Sequence, residues 1–263
     1  MNPLKKVLTI AGCGILLHAN AQQEVKIHLP KDSVLAIARD AYIYAAPLVY
    51  TDATRLKLSS ADNVFFHQRF FPDYTFRAVV APNNDTNYSI AFLDLSSDPV
   101  IIETPDTKGR YFVIPFLDAW TNNFELIGKR TTGTKAQNLF VSGPNWKGKV
   151  PEGFRHIKSP TNLVWVIGRI QVNNKEDQKS VVSPLQDKIR LTTLAKWLVK
   201  DTSALPHVQK QYYSITKDQF KNGVAQGIKA LPIEEFFNYT NALLEDNPPA
   251  AYDEKIVKAN SAD

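Results

Sequence analysis

The chain has 263 residues, and 44% of them are hydrophobic, which is enough apolar material for one large core. Its formal net charge of +5 comes from 31 basic and 26 acidic residues that are interspersed along the sequence. A nucleic-acid-binding protein needs a clustered basic face or a recognisable motif, and the sequence has neither. Nucleic acid is therefore not expected as a partner.

The first 21 residues have the pattern of a secretory signal peptide. Lys5 and Lys6 form a basic start, an apolar run covers residues 7–17, and Ala19 and Ala21 form an A-x-A cleavage site. The apolar run is too short to cross a bilayer as a helix, which takes about 20 residues, so no transmembrane span is expected. We predict export to the periplasm or the cell envelope.

Cys13 supports an alternative interpretation of the same segment. Ile10-Ala11-Gly12-Cys13 has the form of a lipoprotein box, in which the cysteine is acylated and anchors the protein. Cys13 is also the only cysteine. Because it is either removed with the signal peptide or acylated, a mature chain has no free thiol for disulfides, iron–sulfur clusters or nucleophilic catalysis. The histidines lack metal-binding spacing, and phosphate-binding and dinucleotide-binding loops are absent. We expect no metal and no cofactor.

Residues 22–74 are predicted to form an N-terminal helix and a linker. Asp32 or Ser33 can cap a helix whose apolar residues recur at three- and four-residue spacing as far as Val49. Pro47 should kink or end this helix, because proline lacks the backbone N–H that the helix ladder uses.

Residues 75–174 are predicted to form a β-rich core. Short runs of β-branched and aromatic residues are separated by Pro, Gly, Asn and Asp, which is typical of antiparallel strands and their turns. The predicted strands are Phe76–Val80, Tyr88–Leu93, Val100–Glu103, Tyr111–Leu117, Leu139–Ser142 and Leu163–Val172. We expect an α+β protein with an antiparallel β sandwich or jelly-roll-like core, flanked by N-terminal and C-terminal helices.

Residues 175–249 are predicted to form a helical C-terminal extension. The spacing of leucines predicts a helix over Pro184–Val199. A second helix is expected to begin at Pro232 and to stop at Asn247-Pro248-Pro249. Residues 250–263 are polar and are predicted to form a flexible tail.

Two polar turns of the β core are candidate ligand-binding loops. The first contains Asn83, Asp85, Thr86 and Tyr88, whose side chains can bind a polar ligand or simply close a tight turn. The second follows the strand Tyr111–Leu117. It offers the carboxylate of Asp118, the flat face of Trp120 and the amide of Asn122, although Trp120 can equally be a core residue.

Three further polar residues complete the candidate set. Arg130 can pair with Asp85 or Asp118, or it can hold an anionic ligand. Asn162 precedes the strand Leu163–Val172, and Arg169 lies within it. An arginine in so apolar a strand needs a partner, which is either an acid of the fold or a ligand.

The order of these motifs resembles the family of the domain of unknown function 1254. The matching segments lie between about residues 40 and 194: Val80–Tyr88, Leu93–Leu95, Arg110–Tyr111, Leu117–Asn122, Lys129–Gly133, Gly143–Trp146, Ser159–Leu163 and Gly168–Ile170. The resemblance implies an exported or envelope protein with a β-rich core. Relatives often continue into a second β-rich domain, the domain of unknown function 1214, which is not expected here. The family has no agreed catalytic residues to transfer.

Three functions are compatible with these residues. The first is a module that binds a small polar or carbohydrate-like ligand through Asp85, Trp120, Asn122 and Arg130. The alternative is a hydrolase with Asp85 or Asp118 as general base and Arg130 stabilising negative charge. The third is an assembly role, in which a protein partner or a second copy of the chain replaces the missing domain.

Overall fold

The computed structural model describes residues 30–72, 83–250 and 253. The predicted signal peptide, the lipoprotein box around Cys13, the predicted strand Phe76–Val80 and most of the predicted tail lie outside the described residues. Two β-sheets pack face to face, and a layer of helices covers the outer face of one of them.

The secondary structure begins with one long helix and continues through eight strands. The rest of the described chain consists mainly of helices, with a ninth strand among them. In chain order the elements are α1 (Lys31–Leu58), β1 (Phe66–His67), β2 (Thr86–Asp94), β3 (Val100–Thr104), β4 (Phe112–Asp118), β5 (Asn123–Gly128), β6 (Gln137–Ser142), β7 (Arg155–Lys158), β8 (Leu163–Gln171), α2 (Lys175–Asp177), a π turn (Gln178–Val182), α3 (Ser183–Gln186), β9 (Arg190–Thr193), α4 (Leu194–Leu198), a 3-10 turn (Lys217–Phe220), α5 (Val224–Lys229) and α6 (Ile233–Asp246).

The strands form two sheets. Sheet A has the order β1-β2-β8-β4-β5, and sheet B has the order β7-β6-β3-β9. All pairings are antiparallel except that of β6 with β7, so sheet B is mixed. The predicted α+β class, with a β core between N-terminal and C-terminal helices, is confirmed.

Alternation along β2 explains how sheet A is buried on both sides. Ala91 and Leu93 point towards sheet B and join the core between the sheets, while Ile90 and Phe92 point to the helix layer. Successive side chains of a strand face opposite sides, so one strand contributes to two cores. Burial of both faces anchors β2 and β8 in the centre of the fold.

The helix layer holds α1 and α6 against the outer face of sheet A. The rings of Tyr42 and Phe236 join the two helices, with centroids 4.3 Å apart, and Phe92 stacks on Trp165 at 5.4 Å within the sheet. Within the described part of the chain, no helix combines the length and the apolar character needed to cross a membrane.

The first helix was predicted to be kinked or ended by Pro47, and the prediction that it ends there was wrong. Helix α1 continues for eleven residues after Pro47 and ends at Leu58. The carbonyl of Pro47 accepts a hydrogen bond from the hydroxyl of Thr51 at 2.9 Å. Because Leu48, Val49 and Ala53 are buried in the helix layer, packing outweighs the local cost of the proline.

The predicted helix Pro184–Val199 was also wrong. The segment contains α3, then strand β9, then α4, and β9 pairs with β3 at the edge of sheet B. Leu191 packs against the core between the sheets, which a strand position allows. Strand β9 therefore lies inside the region predicted as a helical extension.

The histidine at the edge of sheet A gives the fold a predicted pH dependence. Nδ1 of His67 lies 2.9 Å from the hydroxyl of Ser89, and burial, followed by the charge of Arg69, lowers the pKa of His67 to about 4 from 6.5. The unfolded chain therefore binds the proton first as the pH falls. The contribution of neutral His67 to stability is fully present above pH 6.5 and is lost between pH 6.5 and 4.

We expect the free energy of unfolding to drop by about 1 kcal/mol more in the wild type than in His67→Gln when the pH is lowered from 7 to 5, after allowance for partial exposure. Urea denaturation at the two pH values measures this difference, with His207→Gln at an exposed position as the control. Identical pH dependence of the wild type and His67→Gln would contradict the role of His67.

Candidate functional site

The predicted ligand-binding turns lie at opposite ends of sheet A. On β8, Arg169 is paired with Tyr88, whereas Val164 is paired with Asp118. Five positions along a strand correspond to about 16 Å, so the two groups cannot line one small pocket. The prediction that Asp85, Trp120, Asn122 and Arg130 share a pocket was wrong.

Asp118 closes its own loop. Its carboxylate accepts hydrogen bonds from the backbone N–H of Trp120 and of Asn122, both at 2.9 Å, and from the side-chain amide of Asn122 at 3.1 Å. The residue is buried, with 5% of its surface exposed. A carboxylate so occupied is a poor general base, and Arg130 lies too far along sheet A to pair with it.

The other polar residues at this end of sheet A also have structural contacts. Trp120 packs between sheet A and α1, with its ring 5.0 Å from that of Tyr44. The amide of Asn162 donates to the carbonyl of Asp246 at 2.9 Å and so ties the end of α6 to sheet A. These contacts support the alternative that Trp120 is a core residue.

The first polar turn is organised by Asn83. Its side-chain oxygen accepts from the backbone N–H of Asp85 at 2.9 Å and of Thr86 at 3.1 Å, and its amide donates to the hydroxyls of Thr86 and Tyr88. This is the tight-turn role that asparagine commonly has. Asp85 is exposed at the tip of the turn.

The two candidate arginines lie on aromatic rings. The guanidinium of Arg169 is 5.2 Å from the ring centre of Tyr88, and that of the exposed Arg130 is 5.7 Å from the ring centre of Tyr111. Within residues 30–72 and 83–250, neither arginine forms an ion pair with an acid. The predicted pairing of Arg130 with Asp85 is therefore not observed.

A cleft that was not predicted from the sequence lies on the outer face of sheet B. It has a volume of about 830 Å³ and lies between β3, β9 and the segment 197–205. Ile102 of β3 faces the core, so its neighbour Glu103 points outwards, and Arg190 is directly opposite on β9. Opposed residues of an antiparallel pair project from the same face, which places both charges in the cleft.

Glu103 and Arg190 are free to bind a ligand. Although they are cross-strand neighbours, no ion pair or hydrogen bond joins their side chains to each other or to another described residue. Glu103 is half-buried, Arg190 is exposed, and Thr192 lies beside them on β9. The cleft therefore offers a hydrogen-bond acceptor, a fork of donors and a hydroxyl on one rigid surface.

Trp197 of α4 forms an aromatic wall of this cleft. Its side chain is 37% exposed, and its ring meets the ring of Phe154 edge-on at 5.2 Å. Phe154 in turn contacts the fully buried Phe140 on β6. The indole is thus held by the sheet while part of its surface remains available.

The far wall is a loop that Lys196 holds in place. The ammonium group of Lys196 donates to the carboxylate of Asp201 at 2.8 Å and to the hydroxyl of Ser203 at 2.6 Å. Hydrogen bonds from Lys196, followed by those from Ser203, lower the pKa of Asp201 to about 2. Asp201 is therefore ionised at neutral pH and serves mainly to fix the loop.

No group of three His, Cys, Asp or Glu side chains in the described residues is placed to hold a metal. In the sequence, Glu103 stood out only as the last residue of the predicted strand Val100–Glu103. Trp197 and Arg190 were hidden by the helix predicted over Pro184–Val199, although Thr192 and Thr193 are β-branched and could have indicated a strand.

The family comparison covers the two-sheet core. The family model described as "protein of unknown function (DUF1254)" matches residues 63–193. The chain belongs to the DUF1254 family through this segment. The match includes Glu103 and Arg190 and ends before Trp197. No curated protein matches the chain.

Two solved structures resemble this DUF1254 protein. A crystal structure of a protein from Vibrio parahaemolyticus has a TM-score of 0.57 at 22% identity, over 86% of this chain and 56% of that chain. A crystal structure of an uncharacterised protein from Burkholderia cenocepacia has a TM-score of 0.36 at 12% identity, over 82% and 53%. The similarity to the Vibrio parahaemolyticus protein supports the two-sheet fold described above. The chain spans just over half the length of both proteins.

Proposed function

We propose that this DUF1254 protein is a binding module for a small, carbohydrate-like polar ligand, and that the ligand occupies the cleft on sheet B. The observation that carries the proposal is the unpaired Glu103 and Arg190, side by side on one rigid surface, next to the partly exposed indole of Trp197. The cleft volume of about 830 Å³ is within the range of about 300–1,000 Å³ for small-molecule sites.

The chemistry of these side chains matches that of a sugar. A carboxylate accepts hydrogen bonds from two neighbouring hydroxyls, and a guanidinium donates to hydroxyl or ring oxygens. The flat face of an indole can cover the apolar C–H face of a sugar ring, while the polar groups fix its orientation. Both kinds of surface are present in the cleft.

Hydrolysis in the same cleft is the second candidate, and it rests on the unpaired carboxylate of Glu103. Glycoside hydrolysis normally requires two carboxyl groups, one of which has a raised pKa so that it can act as an acid. Asp201 is the other acid in the cleft, and its pKa is lowered to about 2. Asp201 is therefore held ionised by Lys196 and is not available as the second catalytic carboxyl group, so binding is the better supported function.

The assembly role remains a prediction. Leu198 and Val199, at the end of α4, are 63% and 74% exposed, and Leu35 and Ile43 on α1 are 59% and 63% exposed. Apolar side chains at these two sites could contact a protein partner or a second copy of the chain. They lie on different elements and do not favour one interface.

The test is a thermal-shift screen against neutral hexoses, amino sugars, hexuronates and disaccharides. A ligand at a hundred times its Kd adds about 2.7 kcal/mol of stability, which for a domain of this size raises the Tm by roughly 5–10 °C. We expect at least one sugar class to give such a shift in the wild type.

The double variant Glu103→Gln with Arg190→Gln should weaken binding of that sugar about a hundredfold, because two charge-assisted hydrogen-bonding groups become neutral. The matched control is Glu152→Gln with Arg39→Gln, which makes the same changes at exposed positions outside the cleft. Either an absence of any shift across the screen or equal binding by both double variants would overturn the proposal.

A further inference from the structure

The outer face of sheet A carries a charged side chain that no acid of residues 30–72 or 83–250 neutralises. Arg169 lies on β8, the central strand of sheet A, between Tyr88 of β2 and Val113 of β4. Its Nε atom is buried and has no hydrogen-bond partner among the described residues. An N–H group that loses contact with water normally gains an acceptor, so the buried Nε–H of the half-buried Arg169 requires an explanation.

The surroundings of Arg169 hold its guanidinium in place without supplying that acceptor. The charge lies over the ring of Tyr88, 5.2 Å from its centre, and the hydroxyl of Tyr88 accepts a hydrogen bond from Asn83 at 3.2 Å. A cation–π contact stabilises the charge and restricts its position, but it does not supply an acceptor for the Nε–H group. The arginine is thus positioned and still able to donate.

The acidic side chain in the turn before β2, the strand that pairs with β8, does not fill this role. Asp85 is exposed at the turn before β2 and forms no ion pair with Arg169. A second cation lies at the same end of sheet A, because Val113 pairs with Gly128 of β5 and Arg130 follows two residues later. Arg130 is also unpaired among the described residues and lies over the ring of Tyr111.

We propose that Arg169 is the centre of an anion-binding site, separate from the cleft on sheet B, that takes the carboxylate or phosphate group of a small ligand. Nε and one terminal nitrogen of a guanidinium can donate in parallel to two oxygens of such a group. Arg130 contributes a second positive charge. Tyr88 and Asn83 keep Arg169 oriented and do not contact the anion.

The test compares anions at equal ionic strength. The Tm of the wild type is measured with increasing inorganic phosphate or malonate in place of chloride, and Arg169→Gln and Arg190→Gln are measured in parallel. Phosphate stabilises many proteins by exclusion from their surface, and this contribution is common to all variants. We expect an additional, saturable rise in the wild type and in Arg190→Gln that is absent in Arg169→Gln.

The two anions distinguish the ligand class. Saturation with phosphate alone indicates a phosphorylated ligand, and saturation with malonate alone indicates a carboxylate ligand; either result supports the site. The same response of all three variants to both anions would overturn it. An effect that Arg190→Gln removes while Arg169→Gln retains it would also overturn it, because the anion would then bind on sheet B.

A second measurement covers the case in which Arg169→Gln fails to fold. The Nε–H signal of Arg169 in the wild-type protein is observed by NMR and is assigned with Arg169→Lys. Titration with phosphate or malonate should move this signal to a plateau, because the buried N–H gains an acceptor. A signal that stays in place over the whole titration with both anions would contradict the proposal.

Discussion

Replacement of Arg55 by methionine is expected to lower the free energy of unfolding by about 3–5 kcal/mol. Arg55 is fully buried at the end of α1, where its guanidinium donates to Asp52 at 2.7 Å and to Asp62 at 2.9 and 3.0 Å. It also donates to the carbonyl of Lys210 at 2.7 Å. The substitution leaves two carboxylates out of water without a counter-charge, which is the costly way to break a buried ion pair.

The network around Arg55 joins distant parts of the chain. The hydroxyl of Tyr239 on α6 donates to Asp52, and the backbone N–H of Lys210 donates to Asp62 at 2.7 Å. Burial, followed by the charge of Asp52, raises the pKa of Tyr239 above its ordinary value, so the hydroxyl keeps its proton. The cost of Arg55→Met should therefore include loosening of α6 and of the segment near Lys210.

Urea denaturation measures this loss, since the midpoint and slope give the free energy of unfolding. Arg39→Met provides the control, because Arg39 lies on the same helix with an exposed side chain and should change stability by no more than about 0.5 kcal/mol. Adding Asp52→Asn and Asp62→Asn to Arg55→Met should restore part of the loss, because the unpaired charges are removed. A loss below about 1 kcal/mol for Arg55→Met would contradict the importance of the network.

Replacement of Trp197 by alanine is expected to weaken ligand binding in the cleft on sheet B by about tenfold to a hundredfold. Trp197 provides the aromatic surface of the cleft, and Phe154 holds it from behind. Because the indole is 37% exposed, its removal should affect binding more than stability. Glu103 and Arg190 remain, so weaker binding should persist.

Isothermal titration with the sugar found by the thermal-shift screen measures this loss. Trp146→Ala is the matched control, because Trp146 contacts Phe140 in the same aromatic group and does not line the cleft. The control should bind as the wild type does. Equal affinities of Trp197→Ala and the wild type would place the ligand away from the indole.

Much of the β core could be predicted from sequence because its strands have strong local patterns. The runs Tyr88–Leu93 and Leu163–Val172 differ from β2 and β8 by only a few residues at their ends. Helix α6 was predicted from its proline start and its Asn247-Pro248-Pro249 stop, and it ends at Asp246. In these segments, local preference and burial favour the same structure.

The missed elements depend on contacts that sequence periodicity does not contain. Strand β9 has only four residues, and its pairing with β3 defines it. The spacing of leucines over the longer segment Pro184–Val199 also fits a helix. Strand β7 is equally short and pairs with β6 in parallel. Pro47 shows the opposite case, because a strong local signal was overridden by the packing of α1.

The candidate site was predicted less well than the fold. The polar turns were correctly recognised as turns, but Asn83 and Asp118 use their side chains to build those turns. Glu103 and Arg190 come together only through the register of β3 with β9. No local motif can indicate such a pair, so a site of this kind becomes visible only in the folded chain.

The most direct test of the central claim observes the four tryptophan indoles during a ligand titration. In an NMR spectrum of the ¹⁵N-labelled protein, each indole N–H gives one signal, assigned by single substitution. A sugar that binds in the cleft on sheet B should shift the signal of Trp197 and leave those of Trp120 and Trp165, which are packed in the helix layer, unchanged. A shift of Trp120 or Trp165 with Trp197 unchanged would contradict the account, because it would place the ligand beside sheet A.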